Sequence, residues 1–384
     1  MKELALIMSY PLKPELAAGN RMRSFLKVAQ SKGLKVTIYS LQNHSTEQIF
    51  DENYRSIPPV RQLFPGFIGR AIQEVIFTRR LYKELEGKKY DKILVSIPSM
   101  FLFFCAPFWF SRRSHLDIRD LTWEYLSETS ALQKIAKIIF RFLAKKRASS
   151  FASVTVTNPS EFSYACNQLG YKESEVTLLP NGISREQFNS LSGMFSKPRK
   201  TKDSVIVSYV GNIGIPQNLS VLVDAAKSLP QVTFQVIGEG QNLEELTRYK
   251  EKRRVSNFNL IGSLSWDKLI HVYQESDILY AQLNQSFSGA VPSKLYEYLS
   301  TGKFIIYGGA GEALRLLADF ENKITISPDD PDALVEAIKV TIKDKMFEEN
   351  SAKNKDKIKK RFTKLFNRKF RNSMFGWRTF WIQL

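Results

Sequence analysis

Five short apolar runs in the second half of the chain each give way to a loop and then to a helical pattern. Val205–Val210 runs into Gly211-Asn212-Ile213-Gly214, with a helical pattern over about 217–228. Val232–Ile237 ends in Gly238-Glu239-Gly240, and Phe258–Ile261 ends at Gly262. Asp277–Leu283 leads into a long polar loop, and Phe304–Tyr307 into Gly308-Gly309-Ala310-Gly311-Glu312. Strands that alternate with helices predict a parallel, doubly wound α/β sheet. In such sheets ligands lie beyond the carboxyl ends of the strands, where these glycines fall. The first half repeats the order, with strands near 4–9, 35–40, 92–97, 115–118, 153–157 and 176–179. Helical patterns lie between them at 20–32, 68–86, 99–111, 131–148 and 160–169. The division read from this pattern is a first domain over 1–191, a linker over 192–203, a second domain over 204–346 and a basic helical segment over 347–384.

The loop after the fourth run carries the chemistry. Residues 286–303 read from a polar loop into a short helix with Pro292, Ser293, Lys294, Leu295 and Glu297. Pro292 suits a first helical turn because it has no N–H to leave unsatisfied. The free amides of that turn and the positive end of the helix dipole form an anion site, and Lys294 adds a point charge. Glu297 lies a little over one turn deeper, where a carboxylate accepts hydrogen bonds from a diol. A phosphate site beside a diol site is what a nucleotide ribose and diphosphate require. A plain capped helix on a sheet fits the same residues.

The series Tyr209-Val210-Gly211-Asn212-Ile213-Gly214, Val236-Ile237-Gly238-Glu239-Gly240, Asn259-Leu260-Ile261-Gly262, Ser276-Asp277-Ile278-Leu279 and Val291-Pro292-Ser293-Lys294-Leu295-Tyr296-Glu297-Tyr298 resembles the C-terminal domain of retaining GT-B glycosyltransferases. The branch it resembles is the family-four-type bacterial enzymes that build O-antigen, capsule and exopolysaccharide. In the first half, Gly19-Asn20-Arg21, Arg119-Asp120-Leu121-Thr122-Trp123 and Pro180-Asn181-Gly182 fall in the family's order. The resemblance covers roughly residues 4–340. It implies two Rossmann-like domains facing a central cleft, with the last helix crossing back to the first domain.

The resemblance also implies a reaction. A sugar moves from a nucleotide-diphosphate sugar, a UDP-sugar, to a saccharide acceptor linked to a lipid such as undecaprenyl diphosphate. Charge then develops on the leaving diphosphate, which fixed dipoles and cations stabilise. Lys294, the amides of Ser293, Lys294 and Leu295, and the loop Gly211–Gly214 are expected in that role. Glu297 holds the ribose, and Ile261 meets the base through its backbone. Gly19, Asn20 and Arg21 open the first helix opposite, and Asp120 contacts the acceptor or the donor sugar. Pairing with Arg119 or capping a helix is the other reading of Asp120. No covalent nucleophile stands out, so the expected route is front-face, with the donor phosphate taking the acceptor's proton.

Two departures from the family pattern are visible. Of the two glutamates eight positions apart in its nucleotide-sugar loop, the second is Glu297, but the first position holds Gly289. The Arg and Lys that follow its first C-domain strand are replaced by Asn212 and by Gln217 or Asn218. Lys294 and backbone amides are the natural replacements for the lost charge. A nucleotide-sugar epimerase of the same fold and a non-catalytic membrane scaffold are the alternative functions.

No metal cofactor is expected. Cys105 and Cys166 lack metal spacing, and His44, His115 and His271 are scattered. Asp330-Pro331-Asp332 matches a metal-binding Asp-x-Asp, but it precedes a helical pattern over 333–343, where aspartates act as caps.

Charge is the second signal. The formal net charge is +18. Residues 353–371 hold ten Lys/Arg and one Asp, and residues 134–147 hold six Lys/Arg and no acid. In 134–147, Ile135, Ile138, Ile139, Phe142 and Leu143 recur at helical spacing, with Lys134, Lys137, Arg141 and Lys145 on another face. A basic amphipathic helix of this form lies on an anionic membrane surface; a helix that buries its apolar side and solvates its lysines fits as well. The polybasic, aromatic segment 353–384 tips the reading to the membrane. No nucleic-acid-binding motif appears, so no nucleic acid partner is expected. The longest apolar run, Met100–Phe110, is too short for the ~20 residues of a spanning helix. A strand begins almost at residue 1, without a signal peptide. The expected location is therefore cytoplasmic, peripheral on the inner face of the cytoplasmic membrane.

Overall fold

A computed structural model describes residues 2–10, 17–41, 53–62, 64, 66–128, 130–193, 204–348 and 352–360. The chain forms two compact units that divide after Asn181.

The first unit carries β1 (Glu3–Met8), β2 (Lys35–Leu41), β3 (Tyr54–Ile57), β4 (Lys92–Ile97), β5 (Ser114–Ile118), β6 (Ser153–Val156) and β7 (Val176–Leu178). They form one sheet in the order β3-β2-β1-β4-β5-β6-β7, every pair parallel. The second unit carries β8 (Ile206–Val210), β9 (Thr233–Ile237), β10 (Phe258–Gly262), β11 (Ile278–Gln282), β12 (Phe304–Gly308) and β13 (Lys323–Ile326). Their order is β10-β9-β8-β11-β12-β13, again all parallel.

The unbroken apolar runs have a direct cause: both faces of the second sheet are covered. Ile278 and Tyr280 of β11, and Phe304 and Ile306 of β12, pack into one core. Their neighbours Leu279, Ala281, Ile305 and Tyr307 pack into another on the opposite face. With side chains alternating from face to face, a strand buried on both faces is mainly apolar along its length.

The division after Asn181 falls ten residues before the expected end of the first domain at 191. Ile183, Phe188 and Leu191 belong to the second unit's core, carried by the helix Arg185–Gly193. The expected linker beyond residue 193 lies outside the described residues. So do 361–384, and with them most of the basic aromatic segment. The part of it that is described is a helix, Ala352–Ile358, tied to the second unit. Ile358 is fully buried in that unit's core, and the Asn354 side chain bonds the Glu321 amide and carbonyl at 2.8 and 2.6 Å.

The run Met100–Phe110 does not form one helix. Helix Met100–Phe104 is buried, Pro107 precedes a tight turn, and Phe108 and Trp109 are 82% and 49% exposed. The expected basic helix is present as Ala131–Ala148, with its apolar side outward. Ala144 and Ala148 face the core, while Leu132, Ile135, Ile138, Ile139 and Phe142 are 51–77% exposed. Two of its cations are paired, Lys137 with Glu128 at 2.9 Å and Arg141 with Glu124. Lys134, Lys145 and Lys146 are exposed.

Candidate active site

The second sheet winds outward in both directions from the pair β8 and β11, so the topological switch lies between their carboxyl ends. The ladder there stops at Tyr280 opposite Tyr209. In place of a next rung, the Val210 amide donates to the Tyr298 hydroxyl at 2.8 Å. That hydroxyl lies 3.2 Å from the carbonyls of both Val210 and Tyr280. Tyr298 belongs to the helix Lys294–Thr301, which therefore sits over the switch point with Leu295, Tyr296 and Leu299 in the core beneath it.

At the start of this helix, the Lys294 Nζ donates to both carboxylate oxygens of Glu297 at 3.0 Å. The Tyr273 hydroxyl, on the helix Trp266–Glu275, donates to Glu297 Oε2 at 2.7 Å. Spacing i,i+3 makes the pair adjacent on one face. Lys294 and Glu297 are largely buried, 21% and 12% exposed. The two residues expected to serve a phosphate and a diol are thus joined, and a phosphate ligand must compete with Glu297 for Lys294. Of the three amides assigned to the phosphate, that of Leu295 donates instead to the Pro292 carbonyl at 3.1 Å, in a tight opening turn.

The Gly211–Gly214 loop also differs from expectation. The amides of Gly211 and Ile213 donate to the carbonyls of Ile237 and Glu239, both at 2.9 Å, lacing the loops after β8 and β9 together. A side chain at Gly238, where φ is +147°, would stand 1.8 Å from the Gly211 carbonyl oxygen, so this crossing admits only glycine. The Asn212 side chain meets Gln217 at 3.4 Å, and these two crowd Gly214. Asn218 turns away to Asp329 at 2.6 Å. Gln217, not Asn218, is therefore the partner of Asn212.

Gln282, at the end of β11, ties this loop to its neighbours: its amide donates to the Gln217 and Asn218 carbonyls at 3.0 and 3.2 Å. Gly311, with φ +68°, lets the loop after β12 close on the loop holding Gly289, where the Glu312 amide donates to the Ser288 carbonyl at 2.9 Å.

Ile261 occupies a register shift in the pairing of β10 with β9, between Leu260 and Gly262. A bulge of this kind frees backbone polar groups, as a base contact through the backbone needs. A shallow cavity of about 500 Å³ adjoins it, lined by Leu243, Thr247 and Lys250 of the helix Leu243–Arg253 and by Asn259 of the sheet edge. None of Lys294, Glu297 or the Gly211–Gly214 loop lines it, so this cavity is not the center of the chemistry.

In the first unit, Gly19 and Asn20 lie in the first described turn of the helix Ala17–Ser31, Gly19 buried. Arg21 follows, and its side chain is held within the first unit. Its guanidinium forks onto Asp117 at 2.7–3.0 Å and donates to the Leu179 carbonyl at 2.9 Å. Both side chains are buried, 3% and 0% exposed. Asp117 also accepts from Ser96 at 2.8 Å. The sequence signal was present but unread: a carboxylate inside an apolar strand requires a cationic partner. His115, on the same face of β5, contacts Ser153 at 2.8 Å and Thr155 at 2.5 Å; burial lowers its pKa to about 4 and keeps it neutral.

Asp120 lies just past β5. Burial pushes its carboxyl up to about 6, against the charge of Arg119. Glu161 was not singled out from the sequence. Burial, and then the charge of Asp120, push it up to about 8, while hydrogen bonds from Thr157 pull it down. Asp330 accepts from the Ala333 amide at 2.9 Å and caps the helix Pro331–Lys343, so it serves as a cap. Among the described residues no group of three or more His, Cys, Asp or Glu is arranged to hold a metal ion.

Two parallel α/β units of this form define the GT-B fold, and solved structures with it match nearly the whole chain. A sucrose-phosphate synthase from Thermosynechococcus elongatus superposes with a TM-score of 0.72 at 15% identity, covering 97% of this chain and 99% of that one. WaaG, a glycosyltransferase involved in lipopolysaccharide biosynthesis, gives 0.69 at 13%, covering 96% and 99%. HepE of Anabaena, in complex with UDP and glucose, gives 0.67 at 14%, covering 97% and 99%. No curated protein sequence matches. Residues 194–361 match the family described as Glycosyl transferases group 1. The second half of the chain therefore carries a glycosyltransferase group 1 domain, and the solved structures show that the chain has the GT-B fold.

Proposed function

We propose that the chain transfers a sugar, with retention, from a UDP-sugar to a lipid-linked saccharide such as an undecaprenyl-diphosphate-linked one, in the synthesis of a cell-surface polysaccharide. The observation that carries the nucleotide sugar is the Lys294–Glu297 pair at the start of the helix over the switch point of the group 1 domain. HepE, of the same fold, binds UDP and glucose.

In this reading the diphosphate draws Lys294 from Glu297. Glu297, steadied by Tyr273, then accepts from the ribose diol. The bulged backbone at Ile261 meets the base, and Asp120 meets a sugar. Positive charge beside the leaving diphosphate lowers the barrier by stabilising the charge that develops on its oxygens. The acceptor's proton passes to the donor phosphate on the same face, which requires no enzymic base. No metal is required, because Lys294 supplies the charge.

The membrane reading rests on the outward apolar face of the basic helix. Five large apolar side chains of Ala131–Ala148 face outward, with Lys134, Lys145 and Lys146 among them. Exposed Phe108 stacks under the Arg147 guanidinium, 5.0 Å away, and Trp109 follows it. An apolar face with a basic fringe suits the boundary of an anionic leaflet. No helix among the described residues is long and apolar enough to cross a membrane. We place the protein peripherally, on the inner face of the cytoplasmic membrane, where a lipid-linked acceptor presents its sugar.

The test is acceptor-dependent release of UDP, with the anomeric configuration of the product read by NMR. We expect retention, and activity that survives EDTA. UDP release with an epimerised free sugar would favor the epimerase, and no release the scaffold. Loss with EDTA and recovery with manganese would replace the metal-free reading.

A further inference from the structure

Glu161 is the third residue of the helix Pro159–Asn167 and is 3% exposed. Its amide donates to Asn158 Oδ1 at 2.9 Å. Its Oε2 accepts from the Thr157 amide and hydroxyl at 2.7 and 2.8 Å. Its Oε1 is buried and has no hydrogen-bond partner among the described residues. A capping role accounts for one oxygen and leaves the other unexplained.

The same is true of three more atoms at this end of the sheet: Ser9 Oγ after β1, and Arg119 Nε and Thr122 Oγ1 after β5. Buried polar atoms are nearly always paired, so a group of orphans calls for a polar partner from outside the protein. Asp120 lies between Arg119 and Thr122 in the chain, close enough to act on Glu161 through its charge.

The charges facing the pair are few. Glu161 feels Asp120 and, more weakly, Arg21 from the first helix, whose guanidinium is already held by Asp117. Asp120 feels Arg119. Tyr10 and Tyr125 also feel Asp120, and burial raises both phenols, so they stay neutral. Glu74, near Tyr10, bonds Ser99 at 2.8 Å. Arg119, Arg21 and the Thr157 hydrogen bonds favor the ionised forms, but burial outweighs them at both carboxyls. Because Oε2 already accepts two bonds, a proton on Glu161 belongs on Oε1. A donor beside a carboxylate is the complement of one hydroxyl, which both accepts and donates.

Resting on the transferase reading, we propose that Glu161, through a proton on Oε1, and Asp120, as its carboxylate, together hold one sugar hydroxyl at the first unit. The pair reads that hydroxyl and excludes a sugar that lacks it. Loss of the Glu161 proton removes the donor and sets two negative charges side by side. Sugar turnover is therefore lost as pH rises through about 8, and, from the Asp120 side, as pH falls through about 6. The two limbs belong to the coupled pair.

The test uses the full chain with Glu161→Gln and Glu161→Ala, each checked for a wild-type melting profile. Carbon-13 NMR of glutamate-labelled protein reads Glu161 directly, its signal assigned by its loss in Glu161→Gln. A protonated Glu161 at pH 7 is expected; ionisation below pH 6 overturns the proposal. UDP release from UDP-glucose and UDP-N-acetylglucosamine is then followed from pH 5 to 9.5. In Glu161→Gln the side-chain oxygen still accepts from Thr157 and the amide donates at every pH. It should lose less than about 5-fold at pH 7 and lose the alkaline limb, whereas Glu161→Ala should fall about 10- to 100-fold. Equal losses in both, or an alkaline limb unchanged in Glu161→Gln, overturn the proposal. An effect without acceptor assigns the hydroxyl to the donor sugar, and an effect only with acceptor assigns it to the acceptor. If the wild type releases no UDP from either sugar, the transferase reading fails on its own. Glucose and N-acetylglucosamine are then added to the labelled protein: a displaced Glu161 signal supports the hydroxyl site, and an unmoved one overturns it.

Discussion

Arg21 and Asp120 show how differently two charged residues of one sheet end are used. The Arg21 guanidinium has a bidentate carboxylate and a carbonyl, all out of water. Asp120 has a neighboring charge, Arg119, and a raised pKa, the condition of a group held ready for a ligand. Removing one member of a buried pair leaves the other uncompensated. Arg21→Ala should therefore destabilise the protein by about 3–5 kcal/mol in chemical denaturation, whereas Asp120→Asn should lower turnover and leave the denaturation midpoint within error. Equal stability of Arg21→Ala and wild type would return Arg21 to the ligand site. Lys294, Glu297 and Gly289 were legible as residues because their loop has a fixed order. Glu161 was not, because a Glu three residues after an Asn that starts a helix reads as part of a cap. Only the burial of its second oxygen distinguishes it, and burial depends on β5 and β6 lying side by side.

The elements divide by how completely they are buried. The strands read from the chain include those covered on both faces, whose runs are mainly apolar, and the edge strands β7 and β10, the latter marked by Gly262. Missed were the sheet edges β3 and β13, Tyr54–Ile57 and Lys323–Ile326, four residues each and partly exposed. Their polar residues face water, and neither has the glycine that marks a strand end. Helix Ala131–Ala148 had the right limits, but which side faced inward could not be read from its periodicity. Small Ala144 and Ala148 let it lie close to the core, and the bulky residues are left outside. This makes a sharp expectation at the element scale. Ile138→Glu with Phe142→Glu should abolish co-sedimentation with phosphatidylglycerol vesicles and leave thermal stability nearly unchanged, because exposed positions contribute within about 0.5 kcal/mol. A large loss of stability with vesicle binding intact would mean the face packs against protein.

For the whole molecule, a net charge of +18 is concentrated in two segments, one of which is a defined helix beside an apolar face. The other lies mostly outside the described residues. Attraction to an anionic leaflet contributes about 1 kcal/mol for each Lys or Arg near it and fades within a Debye length, so vesicle binding should weaken as salt rises. The central claim concerns the second unit: Lys294, at the helix over the switch point, neutralises the leaving diphosphate. The direct measurement is the turnover of Lys294→Ala against wild type, as acceptor-dependent UDP release, with circular dichroism to show that the fold is kept. We expect kcat to fall by about 10²–10³-fold, the loss typical for removal of one such stabiliser. An unchanged kcat in a folded Lys294→Ala protein would contradict the account.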